Sequence, residues 1–230
     1  MLFFVCIIFC MSIPALLGQG VTGDIEKYKE IAAKARTSKL NGHGVNQRVV
    51  KLAKIFNTLG HTTGAEVGVW QGSMAAGILN SVKSIKTYYL VDPWKHLENW
   101  NKPFNKQNDE FERVYSTAMN VTQQWAATKR VVLRGESRKM AEKVTDKSLD
   151  FVYIDGDHSA RGTVIDVLSW WPKLKLGGIL YGDDYLDSLQ HGKKFDPTMV
   201  KSIIDGFVEV TQVPFVNLGG NQYMIIKTKH

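Results

Sequence analysis

The sequence predicts an α/β fold with a mostly parallel sheet. From about residue 65 to residue 208, hydrophobic runs typical of buried strands alternate with segments whose apolar spacing is typical of helices. Two of the runs, 149–154 and 178–181, are each followed directly by acidic residues. Because the carboxyl ends of parallel strands form the ligand-binding edge of an open α/β sheet, this arrangement predicts an enzyme site at that edge.

Two helices are predicted before the alternating part. The first begins at Asp24, whose side chain can cap a helix, and ends near residue 39, and the second covers 47–59. Glycine residues separate the two helices. Residues 21–60 are therefore predicted to be the N-terminal helical part of a single domain that spans 21–230.

Strands and helices then alternate towards the end of the chain. Short runs rich in β-branched and aromatic residues predict the strands, and helical spacing of apolar residues predicts the helices. The predicted strands are 65–69, 87–91, 130–133, 149–154, 178–181, 215–218 and 222–227, and the predicted helices among them are 73–82, 109–127, 137–144, 160–174 and 197–208. The glycine pair before Asn221 predicts a hairpin, so the last two strands are antiparallel.

The beginning of the chain is a separate segment. Residues 2–17 are almost entirely apolar, no Lys, Arg, Asp or Glu precedes Asp24, and Gly18-Gln19-Gly20 is a small-x-small pattern typical of a cleavage site. Residues 1–20 are predicted to be a signal peptide, which makes the protein secreted or lumenal without stable membrane insertion after cleavage. An uncleaved anchor is the alternative, although the apolar run is shorter than the ~20 residues of a typical spanning helix.

Composition excludes several kinds of chemistry. Both cysteines, Cys6 and Cys10, lie in the predicted signal peptide, so the mature chain has no disulfide, zinc–thiolate site or cysteine nucleophile. The net charge of +7 comes from 29 Lys and Arg residues scattered without a long run. This distribution predicts solubility and no nucleic-acid partner.

Four acids follow two neighbouring predicted strands. Asp155 and Asp157 come after one strand, and Asp183 and Asp184 come after the next. Carboxylates held close together repel one another, so a divalent cation or a shared proton has to compensate their charge. Oxygen ligands favour a hard ion such as Mg²⁺. The acids therefore predict a metal-dependent enzyme site.

A turn containing two glycines joins the first predicted strand to its helix. Gly68 and Gly72 let the backbone approach a ligand closely, and Glu66 suits an amine-bearing ligand. Their Gly-x-x-x-Gly spacing differs from the Gly-x-Gly-x-x-Gly of dinucleotide-binding folds and disfavours NAD. Asp92 ends the second strand, where an acid typically accepts hydrogen bonds from a ribose. Each feature alone also fits an ordinary turn, but together they favour an adenosine-type cofactor.

Taken in order, these motifs resemble class I S-adenosylmethionine-dependent methyltransferases. The resemblance rests on Glu66-Val-Gly-x-x-x-Gly, Leu-Val-Asp92-Pro-Trp, Tyr-Ile-Asp155-Gly-Asp-His, Leu-Gly-Gly178 and Gly-Asp183-Asp-Tyr. The nearest resemblance is to the metal-dependent O-methyltransferase branch that includes macrocin- and novobiocin-type sugar methyltransferases. It implies a Rossmann-like fold whose seven-stranded, mostly parallel sheet has the order 3-2-1-4-5-7-6, with helices on both faces.

The resemblance also implies a role for each motif. The residues expected to bind S-adenosylmethionine are Glu66, Gly68, Gly72, Asp92, Ser137 and Asp155. The ligands expected for Mg²⁺ or another divalent ion are Asp155, Asp183 and Asp184. Asp157 is the expected general base, and His158 is the second candidate. A metal that chelates two vicinal hydroxyls would orient the acceptor and lower its pKa before methyl transfer.

The sequence thus predicts a divalent-metal-dependent O-methyltransferase that acts on a hydroxyl of a sugar or phenolic small molecule. Two alternatives remain: a secreted, catalytically inactive protein that keeps the fold and binds S-adenosylmethionine, and another Rossmann-type nucleotide-dependent enzyme. Asp166 is expected on a solvated helix face. Trp94, Trp100 and Phe104 lie in a long connection and fit either a lid or a loop anchored by its own aromatic side chains.

Overall fold

The computed structural model describes residues 19–36, 45–187 and 195–228, and within them seven strands form one sheet. The strands are β1 Thr63–Val67, β2 Thr87–Asp92, β3 Arg130–Arg134, β4 Leu149–Ile154, β5 Leu174–Gly182, β6 Phe215–Gly219 and β7 Gln222–Ile226. The order across the sheet is β3-β2-β1-β4-β5-β7-β6. β1 to β5 are parallel, and β7 is antiparallel to both β5 and β6. The predicted fold class and strand order are confirmed.

Helices cover both faces of the sheet. They are α1 Gln19–Arg36, α2 Val45–Leu59, α3 Ser73–Ser81, α4 Asn108–Val121, α5 Ser137–Ala141, α6 Ala160–Trp170 and α7 Val200–Thr211. α6 ends at Trp170, before its predicted end, and a 3-10 turn over Trp171–Lys173 follows, because Pro172 has no backbone N–H to continue the helical hydrogen bonds. α1 begins before Asp24, and its predicted end near residue 39 lies outside the described residues.

Two apolar layers form the core, one on each face of the sheet. The layer under α1–α4 contains Phe56 of α2 and Phe151 of β4, whose ring centroids are 4.2 Å apart. The layer under α5–α7 contains Val152 of β4 and Trp170 of α6. Neighbouring residues of β4 alternate between the layers because successive side chains of a strand point to opposite faces. Burial of one large apolar side chain contributes roughly 1.5–3 kcal/mol to stability.

The expected solvated position of Asp166 is wrong. Asp166 is 4% exposed and lies with Thr163, Val167 and Trp170 on the side of α6 that packs onto the sheet. These residues are three and four positions apart, so they share one helix face. The face is set by the large apolar residues, and Asp166 is buried with them.

The predicted signal peptide lies almost entirely outside the described residues, so residues 1–20 stay a prediction. In the part of the chain that the structure describes, no helix is both long and apolar enough to cross a membrane.

Candidate active site

Three parallel strands end side by side at the carboxyl edge of the sheet. β1, β4 and β5 are neighbours, so the turns that follow Val67, Ile154 and Gly182 meet there. Asp155 N–H donates to the carbonyl oxygen of Val67 at 2.8 Å, and Asp183 N–H donates to that of Ile154 at 3.1 Å. These bonds place the acidic turns beside the glycine turn, as the sequence predicts. The acidic turns are the turn after β4, with Asp155 and Asp157, and the turn after β5, with Asp183 and Asp184.

Two basic side chains lie among the acids. Arg48 Nη1 donates to Asp155 Oδ2 at 2.9 Å and also contacts Asp183 Oδ2. His158 Nε2 lies 3.2 Å from Asp155 Oδ1, and His158 Nδ1 lies 2.8 Å from Asp184 Oδ2. Each of the three predicted metal ligands is therefore in contact with a basic side chain of the protein.

Arg48 is a site residue that the sequence analysis missed. It lies in the first turn of α2, and 107 and 135 residues separate it from Asp155 and Asp183 along the chain. Burial lowers the pKa of Arg48, but Tyr153, Asp183 and Asp155 together raise the pKa above its ordinary value. A lone arginine near a helix start carries no motif, so only the packing of α2 shows its role.

His158 lies between two carboxylates, which favour its protonated form. Burial lowers the pKa of His158, but the hydrogen bonds to Asp155 and Asp184 outweigh this effect and raise it to about 10. A protonated imidazole donates from both ring nitrogens, which matches its two acceptors. Burial and the charge of Asp155 raise the pKa of Asp183 to about 6, while Arg48 opposes the shift. The role of His158 as a second base stays a prediction, and this arrangement does not favour it.

The donor set at this edge does not fit a divalent ion in the observed arrangement. In residues 19–36, 45–187 and 195–228, no group of three His, Cys, Asp or Glu side chains is arranged to hold a metal ion. A metal bound by Asp155 and Asp183 would compete for oxygens that already contact Arg48. Metal ligation by Asp155, Asp183 and Asp184 stays a prediction.

Asp157 lies in the turn that begins α6. Its Oδ1 accepts from Ser159 N–H at 2.9 Å and its Oδ2 accepts from Ser159 Oγ at 2.9 Å. Its carboxyl group packs on Gly162, where a Cβ atom would stand 2.2 Å from Asp157 Cγ. Because a carboxylate offers about four acceptor positions, Asp157 can still accept a hydrogen bond from a bound hydroxyl.

Asp92 holds the glycine turn. Its Oδ2 accepts from the N–H groups of Val69 and Trp70, both at 3.0 Å, and its Oδ1 accepts from Trp94 N–H at 2.8 Å. Burial raises the pKa of Asp92, and the three backbone hydrogen bonds reduce this shift. Asp92 therefore shapes the turn that would hold the cofactor, whatever contact it makes with a ribose.

The other predicted cofactor residues at or before this turn are Gly68, Gly72 and Glu66. Gly68 has a φ of 89°, and a Cβ atom there would stand 2.0 Å from the carbonyl oxygen of Asp155, so only glycine fits. Gly72 has a φ of 77° and precedes α3. Glu66 is 1% exposed and accepts from Tyr88 Oη at 2.9 Å. Burial raises the pKa of Glu66 to about 8 against the effect of the Tyr88 hydrogen bond, and its contact with the cofactor stays a prediction.

Ser137 faces α6. Its Oγ accepts from Trp170 Nε1 at 2.9 Å and is hydrogen-bonded to the carboxyl group of Asp166. The structure therefore places the Ser137 hydroxyl in the packing between α5 and α6. Its predicted position near the adenine stays a prediction.

The connection between β2 and α4 is anchored at Trp94 and at Lys102, and it exposes the ring of Phe104. Trp94 is fully buried, and its Nε1 donates to the carbonyl oxygen of Trp70 at 2.8 Å. Lys102 Nζ donates to the carbonyl oxygens of residues 196 and 197 at 2.9 and 3.0 Å. Phe104 is 58% exposed and packs against Trp70 with ring centroids 5.6 Å apart. The connection is thus an anchored loop that carries an exposed ring beside the glycine turn.

A sheet of this order, with a glycine turn and acidic turns at its carboxyl edge, defines an enzyme of the class I methyltransferase type. The family model described as a methyltransferase domain matches residues 65–185, more than half of the chain. That range contains the glycine turn, Asp92 and the four acids. The chain belongs to this methyltransferase domain family.

Solved structures share this fold over nearly the whole chain. A proposed caffeoyl-CoA O-methyltransferase from Staphylococcus aureus has a TM-score of 0.57 and 15% identity, with 88% of this chain and 91% of that chain covered. The SAH-bound methyltransferase PaMTH1 of Podospora anserina has a TM-score of 0.57 and 11% identity, with 91% and 94% covered. The O-methyltransferase from Bacillus cereus in complex with SAH has a TM-score of 0.55 and 13% identity, with 93% and 94% covered. No curated protein matches the chain.

The predicted S-adenosylmethionine-dependent methyltransferase is confirmed by the family match and the fold. The family match and the shared fold establish the class of enzyme. The sugar-methyltransferase branch, the acceptor and a requirement for a divalent metal are proposals.

Proposed function

We propose that the protein transfers the methyl group of S-adenosylmethionine to a hydroxyl oxygen of a sugar or phenolic small molecule. The observation that carries this proposal is the meeting of two kinds of turn at one edge of the sheet. The glycine turn held by Asp92 suits an adenosine-type cofactor, and the turns that carry Asp155, Asp157 and Asp183 offer acidic groups to a hydroxyl. The O-methyltransferase names of the S. aureus and B. cereus proteins support oxygen as the accepting atom. The macrocin- and novobiocin-type branch remains part of the proposal.

Methyl transfer is an in-line displacement at the methyl carbon. The acceptor oxygen forms a C–O bond while the S–CH₃ bond breaks, the sulfonium becomes a neutral thioether, and the hydroxyl proton passes to a base. Asp157 is the proposed base because its hydrogen bonds to Ser159 leave acceptor positions on its carboxylate. His158 is proposed to stay protonated and to keep Asp155 and Asp184 in place. No step is assigned to a metal, since Arg48 and His158 contact the oxygens that would bind it.

Cofactor binding tests the proposal directly. S-adenosylhomocysteine at about 100 times its dissociation constant should stabilise the purified protein by about 2.7 kcal/mol. For a chain of this size that corresponds to a rise in Tm of roughly 5–10 °C in a thermal shift assay. NAD⁺ at the same concentration is the control and should leave Tm unchanged. A rise with NAD⁺ and none with S-adenosylhomocysteine would favour another Rossmann-type nucleotide-dependent enzyme.

Turnover separates the enzyme from an inactive binding protein with the same fold. Transfer of radiolabelled methyl groups to catechol-type or sugar acceptors should be detectable with the wild-type protein. Asp157→Asn should lower turnover by ~10²–10⁴, the usual effect of a positioned general base, without changing the affinity for S-adenosylhomocysteine. Binding of S-adenosylhomocysteine with no transfer to either acceptor class would support the inactive alternative.

A further inference from the structure

We propose that Arg48 takes the place of a divalent ion in this chain. Its guanidinium group extends from α2 and bridges the turns that follow β4 and β5. The proposal deepens the proposed function, because it concerns the acceptor side of the same site. It replaces the metal that the acids predict with a charge that is built into the fold.

The contacts of Arg48 are those that a bridging ion would make. Arg48 Nη1 contacts one oxygen of Asp155 and one oxygen of Asp183, which are two of the three predicted metal ligands. His158 bridges the second oxygen of Asp155 to the third predicted ligand, Asp184. Asp155 is thus engaged through both oxygens. The turns after β4 and β5 are joined through protein side chains.

Hydrogen bonds on the side away from the acids hold Arg48 and its helix in position. Its guanidinium is hydrogen-bonded to Tyr153, whose Oη accepts from Gln222 Nε2 at 3.4 Å. Its side chain is 24% exposed. One turn further along α2, Lys51 Nζ donates to the carbonyl oxygens of residues 218 and 219 at 3.1 and 2.7 Å. These bonds and the buried face of α2 fix the helix from which Arg48 extends.

A guanidinium and a divalent ion are alternatives at this position. The guanidinium stays protonated at every pH at which proteins are folded. A second cation on the same oxygens of Asp155 and Asp183 would be repelled by it at close range. An ion can therefore enter only if Arg48 leaves, and leaving would break the contacts with Tyr153 and both acids.

Titration with Mn²⁺, followed by electron paramagnetic resonance, tests the proposal without any turnover. Wild-type protein should not bind Mn²⁺ specifically at millimolar concentrations. Arg48→Gln removes the charge and keeps hydrogen-bond donors, and it should bind one Mn²⁺ at least ~10-fold more tightly than wild type. Adding Asp183→Asn to Arg48→Gln should abolish that binding. Arg113→Gln, which changes an exposed arginine paired with Asp109 on α4, is the matched control and should behave as wild type.

Two results would overturn the proposal. One is specific Mn²⁺ binding by wild type that Asp183→Asn removes, because a metal would then displace Arg48. The other is a folded Arg48→Gln variant that binds no Mn²⁺, because the acids would then not form a cation site at all. If Arg48→Gln does not fold, the wild-type titration tests the proposal by itself. The absence of specific Mn²⁺ binding supports it, and specific binding that Asp183→Asn removes overturns it. Binding of S-adenosylhomocysteine measured in EDTA reports separately on the proposed function.

Discussion

Asp166 is a buried acid behind the turn that carries the site residues. Its carboxyl group is hydrogen-bonded to Ser137, and a Cβ atom added to Gly156 would lie 3.0 Å from its Oδ2. Burial raises the pKa of Asp166 to about 7 and the charge of Asp157 adds to the shift, whereas the Ser137 bond opposes it. Near neutral pH this carboxyl group is therefore close to its own pKa.

Asp166→Asn should stabilise the protein at pH 8 and have little effect at pH 4. The folded state keeps a proton that the unfolded state releases above its pKa of about 3.9, so wild-type stability falls as the pH rises from about 4 to about 7. Asn keeps the acceptor for Ser137 and cannot ionise, so the gain at pH 8 should be roughly 1–4 kcal/mol. Urea denaturation at both pH values measures the difference. Asp109→Asn on the surface of α4 is the control, and an equal loss of stability at both pH values would contradict the prediction.

At the scale of single elements, the start of β4 holds the start of β1. Asp150 Oδ2 accepts from the N–H groups of Thr62 and Thr63 at 2.8 and 2.9 Å and from Thr62 Oγ1 at 2.9 Å. Its Oδ1 accepts from Lys175 Nζ on β5 at 2.6 Å. One carboxylate thus ties three neighbouring strands together at the edge opposite the site. Burial raises the pKa of Asp150, but these hydrogen bonds outweigh it and lower the pKa to about 2.

Asp150→Asn should lower the free energy of unfolding at pH 7 by roughly 1–2 kcal/mol, because a charge-assisted bond and an acceptor are lost. A depressed folded pKa gives stability above the unfolded pKa that disappears as the pH falls through the folded value. The difference between wild type and variant should therefore be constant above about pH 5 and shrink between about pH 4 and pH 2. Urea denaturation over this range measures it. Asp146→Asn, which changes an exposed acid paired with Lys173, is the control. A loss of unfolding free energy in Asp150→Asn that does not change with pH would contradict a contribution from the ionised carboxylate of Asp150.

At the scale of the whole molecule, α2 connects parts of the chain that are far apart in sequence. Arg48 contacts the acids that follow β4 and β5, and Lys51 contacts the end of β6. The N-terminal helical part therefore contributes to the site directly. α2 shares the core layer of α3 and β4, and the single domain over residues 21–230 stays a prediction.

The predicted signal peptide determines where the whole molecule is located. We propose that residues 1–20 are removed during secretion, since their apolar run ends in a small-x-small pattern. Mass spectrometry of secreted protein should find a chain that begins near Val21. Retention of Met1, or recovery of the protein only from membranes, would contradict cleavage and favour the anchor.

The sequence by itself determined the sheet and the edge at which the site lies. Buried strands are hydrophobic runs, so β4 is predicted with the same ends that the structure has, and the acids at 155 and 183 follow from the position of strand ends. The glycine turn is equally local, since Gly68 and Gly72 are needed for the backbone itself. Features that depend on neighbours along the chain can be read from periodicity and spacing.

Only the tertiary structure decided which partners those side chains have. Arg48 lies beside Asp155 across 107 residues of sequence, and no local pattern encodes this contact. Asp92 bonds to backbone N–H groups and Asp166 is buried because the sheet, α6 and the turns pack around them. Burial and charge pairing are properties of the assembled packing. For that reason the position of the glycine and acidic turns at one edge of the sheet was predictable, whereas the partners of their side chains were not.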